Sequence, residues 1–97
     1  MFKIEFPDRP QALASTPREA LAMAWIALRT GAAYVTIKDG RHIFAATGSL
    51  SVLESAEGFD LAVRMAFTDG EQSSGSECPY KVPHRIAAWQ AGRESVR

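Results

Sequence analysis

Thr16-Pro17-Arg18-Glu19-Ala20-Leu21-Ala22-Met23-Ala24-Trp25-Ile26-Ala27-Leu28-Arg29-Thr30-Gly31 opens and closes like a helix. Thr16 is a capping residue, Pro17 suits the first helical position, and Glu19 stands where a capping box needs an acid. Gly31 supplies a left-handed stop. The segment predicts a long helix over about 17–30. At 100° per residue, Leu21, Trp25 and Leu28 share one face, while Met23 and Ile26 lie near the opposite side. Alanines fill the gaps, and charge is confined to Arg18, Glu19 and Arg29. A helix lying on a sheet needs only one apolar stripe. The second stripe is either covered within the chain, for example by a C-terminal helix, or forms an interface with another protein or a second copy. Met23 and Ile26 are the candidate apolar contact.

Strand patterns flank this helix. Phe2, Ile4 and Phe6 alternate with Lys3 and Glu5, which predicts a half-buried strand ended by Pro7. Residues 7–15, with two prolines, read as a connector. Ala33 to Lys38 and Arg41 to Ala46 read as a hairpin around Asp39-Gly40. That turn sets Val35 against Phe44 and Ile37 against His42, a register that a bulge would shift. Thr47 to Gly58 admits two readings. Ser51 with Glu54 resembles a capping box, whereas the alternation of Leu50-Ser51-Val52 between neighbouring strands favours a strand. Phe59, Leu61, Val63, Met65 and Phe67 alternate strictly with Asp60, Ala62, Arg64, Ala66 and Thr68, which predicts a central strand. Asp69 to Glu77 reads as a surface loop. His84 to about Glu94 reads as a C-terminal helix anchored by Ile86 and Trp89, with Gly92 weakening its last turn.

The expected fold is therefore α+β, a single domain over 1–97 with an antiparallel sheet of four to five strands. The expected core contains Phe2 or Ile4, Leu21, Trp25, Leu28, Val35, Ile37, Phe44, Leu61, Val63, Met65 and Trp89. The length of 97 residues fits one domain. Hydrophobic residues make up 46% of the chain and nine of these are Phe, Trp or Tyr, so the core requires no metal or disulfide staple. Cys78 is the only cysteine, which points to a reducing compartment. The longest apolar run, Ala20 to Leu28, is nine residues, far short of the roughly 20 that cross a bilayer. The start of the chain lacks a signal-peptide pattern. A cytoplasmic location is the expectation.

Eleven basic and eleven acidic residues balance to zero, but unevenly. Residues 1–48 carry six bases and four acids, residues 49–78 one base and six acids, and residues 79–97 four bases and one acid. Glu54, Glu57, Asp69 and Glu71 are the candidate acidic surface, fitted to a basic protein partner. Lys81, Arg85, Arg93 and Arg97, beside Tyr80 and Trp89, form the one candidate nucleic-acid patch, although Arg93 and Arg97 also suit a helix C-terminus.

No catalytic signature stands out. Cys78 and His84 are the minimal pair for a cysteine nucleophile, but Pro79 to Pro83 reads as extended and separates them. His42, His84, Asp60 and Glu57 lack the short spacing of structural metal sites. The paired acids fall in turns, and no phosphate-loop pattern occurs. No catalytic residue, metal or cofactor is assigned. The expected function is a small non-catalytic protein-binding module: an adaptor, a regulator, or an inhibitor of a larger complex. Small phage and mobile-element proteins that act against host defence systems have this general character. The alternatives are a nucleic-acid-binding regulator using the basic C-terminal helix, and an accessory subunit of an enzyme. A homodimer is a further expectation.

Overall fold

The structure, a computed structural model, describes residues 1–73 and 77–96. These residues form a four-stranded antiparallel sheet and four helices, an α+β architecture. The elements are β1 (Phe2–Glu5), β2 (Ala12–Ala14), α1 (Pro17–Arg29), β3 (Val35–Asp39), β4 (His42–Thr47), α2 (Leu50–Glu54), α3 (Ala62–Gln72) and α4 (Pro83–Ser95). The chain divides into two compact units, Met1–Phe59 and Asp60–Arg97.

In the first unit the strands lie in the order β2-β1-β3-β4. The residues read as a connector supply β2, whose Ala12 and Ala14 pair with Ile4 and Phe2. α1 begins as its sequence predicts: the Glu19 amide donates to Thr16 Oγ1 at 3.1 Å. The Glu19 carboxylate, however, accepts from the Ser15 hydroxyl at 3.2 Å. At the far end Gly31 takes φ +113°, and the Ala32 amide reaches back to the Ala27 carbonyl at 2.9 Å. That bond is the signature of a Schellman stop, which a residue with a Cβ resists.

α1 lies on one face of the sheet, against β1, β2 and β3. Strand alternation sends Ile4, Ala14, Val35 and Ile37 to that face, all of them buried with Leu21 and Trp25. The hairpin register differs from the expected one. Gly40 and Arg41 form the turn, with Asp39 opposite His42, and a bulge falls between Ile37 and Lys38. Gly40 has φ +62°, the conformation that a two-residue hairpin demands. The bulge leaves Phe44 41% exposed, not in the core, with its ring edge-on to Phe2 at 5.6 Å.

Leu50–Glu54 is a helix, not a strand. Its cap is Ser49, and Glu54 turns away to accept the Trp25 indole N–H at 2.7 Å. Within this unit α2 therefore packs against α1, with Leu53 fully buried.

The largest departure is α3. Residues 62–72 are helical where strict alternation predicts a central strand, and Asp69 to Gln72 extend the helix into the expected loop. Val63, Ala66, Phe67 and Gly70 are its buried residues, spaced i, i+3, i+4 and i+7. Leu61 and Met65, expected in the core, are 61% and 66% exposed. The segment satisfies both periods, and only Val63 among residues 62–67 is β-branched; its Ala, Arg and Met favour helix.

α4 matches the predicted C-terminal helix and is the partner that selects the helical period for α3. A methyl group at Gly70 would overlap the Trp89 carbonyl oxygen, and one at Gly92 would overlap the Phe67 carbonyl oxygen. The two helices thus meet backbone on backbone. Gly92 is buried and serves as a contact point, not a weakness in the last turn. Asp60, just before α3, bonds His84 and Arg85 in the first turn of α4. Their beginnings and their later halves are both in contact, so α3 and α4 run side by side in the same sense.

Gly70→Ala and Gly92→Ala are each expected to cost about 3 kcal/mol or more, because backbone cannot yield as a flexible side chain can. Gln90→Ala, on the exposed side of α4, is expected to change stability by less than about 0.5 kcal/mol. Urea unfolding followed by helical circular dichroism compares the three.

Candidate functional site

The second unit is organised by one carboxylate. Asp60 Oδ2 accepts from His84 Nε2 and from Arg85 Nε, each at 2.7 Å. Asp60 Oδ1 accepts from Arg85 Nη2 at 3.2 Å and from the Ala62 amide at 3.1 Å. An ionised carboxylate only accepts, so His84 carries its proton on Nε2. The Asp60 side chain is 9% exposed. The Arg85 guanidinium holds its carboxyl well below the usual carboxylate range; burial opposes this, while His84 and the Ala62 amide reinforce it. The arrangement caps α3 and fixes the first turn of α4. A second tie lies nearby, where the Tyr80 hydroxyl donates to Asp69. That acceptor, with burial, pushes the Tyr80 phenol up to about 12.

These ties consume several predicted site residues. Arg85 belongs to Asp60, and Arg93 stacks over the Trp89 ring at 5.4 Å. Lys81 is exposed, and Arg97 lies outside the described residues. Of the acids, Glu54 is bound to Trp25 and half-buried, while Glu57 is exposed; both belong to the first unit. Asp69 and Glu71 stand on α3 in the second unit, Asp69 exposed and Glu71 half-buried. Met23 and Ile26 are half-buried on α1.

The groups considered for chemistry take other partners. His84 faces Asp60, and the half-buried Cys78 thiol points to the Tyr80 carbonyl at 3.9 Å. Among the described residues no three His, Cys, Asp or Glu side chains converge as metal ligands.

The described residues also form surfaces that the sequence does not locate. Leu61, Arg64, Met65, Thr68 and Asp69 line a shallow open groove of about 380 Å³ along α3. In the first unit, Met1, Lys3, Leu13, Lys38 and Gly40 border a depression of about 260 Å³ on the sheet face opposite α1. The groove follows from α3 being a helix, and the depression from strand register; neither is visible in local composition. The Asp60 node did leave a signal, an Asx residue directly before a helix start.

Among the described residues no helix is long and apolar enough to cross a membrane. Comparison with protein families, curated proteins and solved structures yields no match.

Asp60 makes the second unit acid-sensitive. Its folded pKa is depressed below the unfolded value near 3.8. The stabilisation is therefore complete above about pH 5 and is lost as pH falls through 4 and below. Asp60→Asn is expected to lower stability at neutral pH and to flatten the acid limb of a stability-versus-pH profile. An unchanged acid limb would contradict this role.

Proposed function

We propose that this protein is a non-catalytic protein-binding module that works as an adaptor, regulator or inhibitor. The observation that carries the reading is the α3 groove. Leu61, the residue before α3, and Met65, one turn on, stand on the outer side of a helix whose buried residues pack against α4. Large exposed apolar side chains side by side, rimmed by Arg64, Thr68 and Asp69, are the usual composition of a contact surface. Asp69, which accepts the Tyr80 hydroxyl and keeps its charge, brings one member of the acidic candidate set to this groove. The single cysteine and the absence of a long apolar helix among the described residues are compatible with a cytoplasmic location.

A nucleic-acid role draws less support, because Arg85 and Arg93, half of the candidate basic patch, are engaged within the second unit. An enzymatic accessory role draws less as well, since Cys78 and His84 each have a different partner.

A photo-crosslinking amino acid at Met65, in the cell that makes the protein, tests the proposal. The expected result is a discrete protein adduct that Leu61→Asp removes and that a crosslinker at Gln90 does not give. Adducts that are the same from both positions would contradict it. On heparin at low salt the protein is expected to flow through. Retention that falls steeply with added salt would favour nucleic acid instead.

A further inference from the structure

The sheet face opposite α1 carries a pattern that only the register shows. Leu13 pairs with Lys3, Lys3 with Lys38, and Lys38 with Ile43. One row across all four strands therefore reads apolar, cation, cation, apolar. Leu13 and Ile43 are 54% and 63% exposed, and Met1, which borders the same depression as Leu13, is 76% exposed. Two lysines directly opposite each other on neighbouring strands repel. The one carboxylate in the next row, Glu5, bonds Lys38 at 2.8 Å. Glu5 also feels the charge of the exposed Lys3, but it makes its ion pair with Lys38, so one carboxylate serves two lysines. The face holds an excess positive charge between two aliphatic anchors.

We infer that this face docks an acidic polypeptide segment in extended form, with an apolar side chain two residues before and two residues after an Asp or Glu. The spacing supports that form. Three strand steps separate Leu13 from Ile43 by about 14 Å, and in an extended chain residues i and i+4 lie about 13 Å apart on the same side. The central residue of that span, i+2, also faces the sheet and stands over the lysine pair. Its carboxylate relieves the Lys3–Lys38 repulsion, while the flanking apolar side chains cover Leu13 and Ile43. This surface lies in the first unit and does not depend on the α3 groove, so either assignment stands or falls without the other.

The test uses the full chain, isotope-labelled, titrated with the capped peptide Ser-Leu-Ser-Glu-Ser-Leu-Ser and observed by NMR. The expected result is shifts at Lys3, Leu13, Lys38 and Ile43, and binding about tenfold weaker when the peptide's Glu is replaced by Gln. Lys3→Glu on the protein is expected to abolish binding while keeping the fold, since it places opposite charges across the β1–β3 pair. The proposal is overturned if these residues do not shift, or if the Gln peptide binds equally well. It is also overturned if a thymidine oligonucleotide moves the same residues more strongly than the peptide. Concentration-dependent shifts at these residues without peptide would assign the face to a second copy and likewise overturn it.

Discussion

α3 and α4 approach so closely that carbonyl oxygens lie where side chains would otherwise be, at Gly70 and at Gly92. Much follows from that contact. It fixes which side of α3 points inward, burying Val63, Ala66 and Phe67, and so sends Leu61 and Met65 outward. It also brings the beginnings of the two helices together, where Asp60 gathers His84, Arg85 and the Ala62 amide onto one carboxylate. A buried carboxylate with that many donors loses little by leaving water. Removing it would leave the His84 and Arg85 donors without their acceptor.

The first unit obeys a different constraint. Its sheet has two faces, and α1 covers one. Ile4, Val35 and Ile37 meet Leu21 and Trp25 there, and α2 adds Leu53. Alternation then compels Lys3, Leu13, Lys38 and Ile43 onto the other face. α2 packs against α1 with Leu53 buried and with the Trp25–Glu54 bond between them. Met23 and Ile26 are half-buried. The more exposed apolar side chains are elsewhere, on the outer strands and on the outside of α3.

Where local chemistry is decisive, the sequence is legible. α1 carries its cap and its stop in Thr16 and Gly31, and both act as their residue types require. α4 is legible from Ile86 and Trp89. Residues 59–68 are not, because Phe59, Leu61, Val63, Met65 and Phe67 satisfy a strand while Val63, Ala66, Phe67 and Gly70 satisfy a helix. The arbiter is α4, a partner distant in sequence that needs a small residue at Gly70. Leu50–Glu54 also fits two patterns, of which neighbouring strands favour the strand, and burial of Leu53 beside α1 makes it a helix. Ala12–Ala14 is too short and too plain to announce a strand. It exists because Ile4 and Phe2 offer it an edge. The candidate surfaces were least legible, since the Leu13–Lys3–Lys38–Ile43 row joins four separate strands.

Residues 62–72 form a helix closed against α4, which places Leu61 and Met65 in water and Val63 in the core. Attenuation of methyl NMR signals by a soluble paramagnetic agent reads this directly. Strong attenuation at Leu61 and Met65 and protection of Val63 are expected. Equal protection at Leu61, Val63 and Met65, as on the buried face of a strand, would contradict it.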